Sequence, residues 1–201
     1  MLRRLVSALL VIGLCLAWAP ARAQVIGEAP PPPFPDPKKF ARGFFAEGEL
    51  GALVFLGKMG RYAAAGPQFG ARLGYDLFRW LALEARVSGA SSNATLPPPT
   101  VNQSFQTYLY AGEARLSLQL RRFGLFAEGG AGLSQLSNNV LAQVNLAGGS
   151  LFSLAVVAGG GLDYHTLNRH FSIGLDLDYL WLQSYGSASA LTATAYLRYT
   201  R

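Results

Sequence analysis

The chain has 201 residues, 51% of them hydrophobic, with 23 glycines, a single cysteine and a formal charge of +6. After the N-terminus no apolar run reaches the ~18 residues a spanning helix needs, so the chain does not read as a helical membrane protein. Setting aside Arg3, Arg4 and Arg22 in the first segment leaves 14 basic against 11 acidic residues. Those that remain do not cluster on one face, which argues against a nucleic-acid partner.

Met1-Leu-Arg-Arg4 is a positive n-region, Leu5 to Ala19 an apolar h-region, and Ala21-Arg-Ala23 a small-x-small cleavage site, so residues 1–23 read as a cleaved export signal. Leu14, not a small residue, precedes Cys15, which disfavours lipid anchoring. Cleavage removes that cysteine, and disulfides and thiolate metal sites go with it. Residues 24–42 form a Pro-rich tail centred on Ala29-Pro-Pro-Pro-Pro-Phe-Pro-Asp-Pro37. This composition favours extended polyproline II and excludes a helix or central strand. The tail reads as a semi-rigid periplasmic tether or, alternatively, a docking peptide with Phe34 and Lys38-Lys39 as handles.

From Gly43 the sequence breaks into eight segments of two-residue period. Phe44 to Leu56 sets Glu47 and Glu49 against Leu50, Val54 and Leu56. Gln68 to Phe78 sets Arg72 and Asp76 against Phe69, Leu73, Tyr75 and Leu77. Trp80 to Ala90 sets Glu84 and Arg86 against Leu81, Leu83 and Val87, and Phe105 to Leu120 sets Glu113 and Arg115 against Tyr108, Tyr110, Leu116 and Leu118. Gly124 to Gln135 carries Glu128, and Leu151 to Tyr164 carries Asp163 after the run Gly159-Gly-Gly161. Phe171 to Gln183 opposes Asp176 and Asp178 to Ile173, Leu175, Leu177, Tyr179 and Trp181. Ala190 to Thr200 opposes Arg198 to Leu197 and Tyr199.

Nine acids and four arginines therefore share one face of these segments, and no charge falls on the other. A soluble sheet would dot its outer face with Lys and Glu. Beside lipid, a mid-bilayer basic residue costs about 2–4 kcal/mol. The pattern predicts residues 43–201 to be an all-β, eight-stranded antiparallel up-and-down transmembrane β-barrel, apolar outside and polar inside. Closure follows because hydrocarbon offers no partner to a bare strand edge. Connections at Phe78-Arg-Trp80, Arg121-Arg-Phe123 and His165 to His170 are short. Those at 57–66, 91–104 and 136–150 are longer and more polar, with 184–189 a shorter exception. Short turns belong on the periplasmic side with both termini. Aromatics near the strand ends form the expected interfacial girdles: Phe78, Trp80, Phe123, Phe171 and Tyr199 inside, Tyr108, Tyr110, Tyr179 and Trp181 outside.

An eight-stranded interior is filled by side chains, so its charges must find partners. The spacing predicts an ion-pair ladder built on Glu47, Glu49, Arg72, Glu84, Arg86, Glu113, Arg115 and Glu128, with Glu84/Arg86 and Glu113/Arg115 as same-face neighbours. No catalytic, metal or cofactor constellation is expected. His165 and His170 share one periplasmic turn, whereas a lipid-A hydrolase would need its histidine on the outer half. Gly159-Gly-Gly161 precedes no helix and reads as relief of crowding. Asn93-Ala-Thr95 matches a glycosylation sequon in a loop.

Together the eight segments, short turns and export signal resemble the small outer-membrane barrels of the OmpA/OmpX kind over residues 43–201. The chain departs from that family at its end, Tyr199-Thr-Arg201, where such barrels finish on an aromatic residue. The run from Pro33 to Gly57 resembles the start of the CglE-like outer-membrane proteins of adventurous gliding motility. That resemblance implies a component of a motility and adhesion apparatus. The expected function is a non-enzymatic outer-membrane anchor or subunit of an envelope assembly. Its expected partners are membrane lipid, including outer-leaflet glycolipid, and other outer-membrane or periplasmic proteins. The alternatives are a receptor or adhesin acting through the outer loops, and a soluble lipocalin-like barrel, which the face assignment opposes.

Overall fold

The computed structural model describes residues 42–95, 103–137, 152–166, 170–184 and 188–201. The export signal, nearly all of the Pro-rich tail and large parts of the expected outer loops lie outside the described residues. The strands are β1 (Phe44–Leu56), β2 (Gly66–Asp76), β3 (Leu81–Ala94), β4 (Gln103–Leu120), β5 (Phe123–Leu136), β6 (Phe152–His165), β7 (Phe171–Leu182) and β8 (Ala188–Thr200). Each pairs antiparallel with its sequence neighbour, and β1 also pairs with β8, so the sheet closes on itself. The seam runs from Phe45 opposite Thr200 to Leu56 opposite Ser189, and the Arg201 N–H donates to the Phe44 carbonyl at 2.9 Å. Every edge that hydrocarbon would leave bare is thereby paired.

Alternation sets the two faces as expected. Leu175 is 60% exposed and its neighbour Asp176 4%, as a lipid-facing wall around a filled lumen requires. Among the described residues no outward strand position carries a charge. The nine girdle aromatics all lie on the outward face or in the turns. Phe78 stacks on Trp80 at 5.6 Å between ring centroids, and Phe171 tilts against Tyr199 at 5.1 Å.

Three details differ from the sequence reading. The β2 strand spans Gly66–Asp76, so Phe78 lies in the turn, where its N–H donates to the Leu81 carbonyl at 3.0 Å. On the outer side β3 and β4 run further than expected, to Ala94 and from Gln103. Asn93 therefore sits in a strand opposite Ser104, and its sequon is not a loop. The connection after β1 is also structured. A 3-10 turn, Met59–Arg61, buries Met59 inside the barrel mouth after Gly57, whose φ of +62° suits glycine. Thr95 N–H to Tyr62 O at 2.7 Å and Ala64 N–H to Asn93 O at 2.9 Å tie this connection to β3.

Candidate functional site

The lumen is the part of the fold with chemistry in it. Twelve of its thirteen expected charges are buried: Glu47, Glu49, Arg72, Glu84, Arg86, Glu113, Arg115, Glu128, Asp163, Asp176, Asp178 and Arg198. Asp76 is half-buried at the mouth beside the short turns.

Register explains how such a cluster is tolerated. Arg72 lies directly opposite Arg86 across β2 and β3, a juxtaposition that repels on its own. Glu49 bridges the two, with Oε2 3.1 Å from Arg72 Nε and Oε1 accepting from Arg86 Nε at 3.0 Å. Asp178, from the far wall, takes Arg72 Nη2 at 3.5 Å and also accepts from Arg86 Nη1. Arg72 further donates to Glu128 at 3.0 Å and Asp176 at 2.5 Å, and lies 3.6 Å from both Glu47 and Glu84. One guanidinium thus meets six carboxylates, a role suited to arginine's five-donor fork.

Arg115 donates to Glu128 at 3.0 Å and to Glu47 at 3.4 Å, with its guanidinium 4.1 Å from the Phe126 ring centroid. Arg198 donates to Glu47 at 3.0 Å and stands 3.9 Å from the Phe45 ring centroid. These aromatic faces add cation–π attraction where the charge is cut off from water.

The expected ladder is therefore a cross-lumen cluster. Residues two apart on one strand are separated by about 6.5–7 Å, whereas opposite walls of an eight-stranded barrel come within side-chain reach. Asp176 and Asp178 join the cluster through this reach. Asp163 stands apart and accepts a hydrogen bond from the Tyr196 hydroxyl. The least compensated member is Glu113. It faces Glu84 in register, its nearest cation is Arg86 Nη1 at 3.8 Å, and neither of its oxygens takes a hydrogen bond.

Two triads, Glu84/Glu113/Glu128 and Glu128/Asp176/Asp178, bring carboxylate oxygens within 4.8 Å of one another. Such oxygen sets suit hard cations, but arginines interleave with both. The glycine run makes room for this chemistry. A Cβ at Gly159 would overlap the Asp178 carboxylate, and one at Gly161 would lie 2.7 Å from the Phe126 ring.

Above the charges the lumen changes character, and the expected polar interior gives way to an apolar one. Leu53, Phe55, Met59, Phe105, Leu109, Leu136, Val157, Leu180 and Leu182 form one buried apolar cluster across the outer half. Sequence reading followed the charges and passed over these inward residues. The signal was present: Leu180 and Leu182 continue the inward phase of Asp176 and Asp178. Between the two layers, beside Gln68, Ser88, Thr107, Ser134 and Thr192, remains a cavity of about 20 Å3, room for about one water.

Below the charges the lumen opens. A vestibule of about 410 Å3 at the end with the short turns, the expected periplasmic side, is lined by Arg42, Asp76, Arg79, Arg121, His165, His170 and their neighbours. Both histidines are thus at the end of the barrel that carries the short turns. His170 Nδ1 is 2.6 Å from the Thr200 carbonyl oxygen and its ring stacks on Tyr199 at 5.7 Å.

A closed eight-stranded barrel with an apolar outer wall and a filled, charged lumen defines a small outer-membrane β-barrel. The family model for the outer membrane protein β-barrel domain matches residues 8–199, and the chain belongs to that family. No curated protein sequence matches it. Among solved structures it is similar to Neisserial surface protein A (NspA), at 16% identity over 80% of this chain and 99% of that one, with a TM-score of 0.59. It is also similar to the N-terminal β-barrel domain of Pseudomonas aeruginosa OprF, at 10% identity over 79% and 98% of the two chains, TM-score 0.48. A third is Ail, the attachment invasion locus protein of Yersinia pestis, at 14% identity over 80% and 98%, TM-score 0.47. At these identities the likeness is one of fold.

Proposed function

We propose that this outer-membrane barrel is a non-enzymatic anchor or subunit of a multiprotein envelope assembly. The observation that carries this reading is the filled lumen. A cross-braced charged layer and an apolar layer above it enclose between them a cavity of only about 20 Å3, too little for a solute path. The placement of both histidines at the periplasmic end supports a non-enzymatic role toward outer-leaflet lipid. The Pro-rich tail precedes Arg42 in sequence, and Arg42 lies at the same end as the short turns, where a periplasmic partner would meet it. The likeness of the run Pro33 to Gly57 to gliding-motility proteins names a motility and adhesion apparatus as one such assembly. Affinity recovery of partners from membranes, with the full exported chain and with residues 24–42 deleted, tests the tail. Loss of partners on deletion is expected, and unchanged recovery rejects docking through the tail.

A second reading is a surface receptor or adhesin. It is favoured by the outward reach of β3 and the 18-residue β4 beside the connection that exposes Lys58 and Arg61. Trimming 96–102 should then abolish surface attachment while sparing membrane insertion, and retained attachment discards it.

A further inference from the structure

We propose that the periplasmic vestibule is a binding site for a carboxylate-bearing peptide, held by Arg42, Arg79 and Arg121. The three arginines come from three separate stretches of chain, the entry to β1, the β2–β3 turn and the β4–β5 turn, and all line one cavity of about 410 Å3. That volume is within the ordinary range of small-ligand sites. All three are exposed, and none has an ion-pair partner among the described residues. This contrasts with the arginines of the lumen, each of which is committed to carboxylates.

Arg121 adds a second, independent sign. It is the one non-glycine residue at positive φ, +61°, among those described, a conformation that favours Gly or Asn over a long side chain. A turn selected for ease of folding would carry glycine there. Keeping an arginine in that strained position has its use in what the guanidinium can reach.

The mixed lining argues for a peptide over a lipid headgroup. Phe78, Trp80 and Phe171 line the cavity beside the arginines and give it an apolar aromatic edge that a peptide side chain can use. The wall also offers Ser117, Gln119 and Thr200, together with the carboxylate of Asp76, groups that suit amides and an ammonium as well as a carboxylate. Backbone-like polar groups with acidic ends fit this mixture, and guanidinium–carboxylate pairs supply the charge recognition. The inference deepens the anchor reading by naming the chemistry of the barrel's own periplasmic contact, apart from the tail.

The test uses the exported chain, residues 24–201, refolded in detergent, and a fluorescein-labelled tri-glutamate peptide read by fluorescence polarisation. Saturable binding is expected, with no saturable binding of a tri-lysine peptide. Arg79→Gln should weaken binding roughly threefold, the scale of an exposed ion pair, and Arg79→Gln with Arg121→Gln roughly tenfold. Arg122→Gln, whose residue does not line the cavity, should leave binding unchanged. Arg121→Gly should weaken binding while raising the urea midpoint, because glycine relieves the positive φ. That variant separates a lost ligand contact from a lost fold. Binding that survives the double substitution, equal binding of tri-lysine, or displacement by phosphatidylglycerol micelles in preference to free tri-glutamate would each overturn the proposal. Since no partner protein is present, failure here leaves the tail experiment to stand or fall alone.

Discussion

The two halves of the lumen solve the same problem with opposite chemistry. The periplasmic half fills space with seven carboxylates and four arginines held by cross-lumen ion pairs. The outer half fills it with leucines, phenylalanines and alanines, capped by Met59. An apolar filling is tolerant, since any side chain of the right volume satisfies it. A charged filling is not: each carboxylate depends on a named partner, and removing one partner strands the rest. The charged half fixes register, because a one-residue slip would turn every acid toward lipid. The apolar half seals.

The comparison can be broken at four points, in decreasing order of effect. Arg72→Met should cost about 3–5 kcal/mol in urea unfolding of the refolded barrel, since it strands buried acids on four strands. A loss under about 1 kcal/mol would mean that the cluster rearranges freely. Phe105→Ala, in the apolar half, should cost about 3 kcal/mol, the low end for a buried Phe truncation, because Met59 can settle toward the gap. Leu177→Arg moves a charge to the outer wall at mid-strand and should cost about 2 kcal/mol, and a neutral result would place that wall in water. Glu113→Gln should change stability by less than about 1 kcal/mol or raise it, as it removes the charge least matched by arginine. A large loss there would assign Glu113 a partner that its 3.8 Å separation from Arg86 does not supply.

Much of this was legible in the sequence, and the reason is geometric. A strand has only two faces, so placing Asp176 and Asp178 inward fixes Leu175 and Leu177 outward without any tertiary knowledge. The partners were not legible. Pairing Glu84 with Arg86 treats neighbours on one strand as contacts, but a closed barrel makes contacts across its diameter, and nothing local joins Arg72 to Asp178, 106 residues away. The apolar layer was missed for a different reason. Leu53 and Phe55 lie between outward Leu50, Val54 and Leu56, so hydrophobicity alone gives no contrast there and only the phase carried forward from Glu47 and Glu49 assigns them inward. The vestibule depends on which turns meet at one end of the closed barrel. A sequence scan sees Arg79 and Arg121 as scattered turn residues.

The central claim is that the lumen is filled from its charged layer to its outer cap, and planar-bilayer recording of the refolded wild-type chain tests it most directly. The account predicts bilayers with no steady conductance after insertion. A sustained, sizeable ohmic current from the wild-type barrel would contradict it.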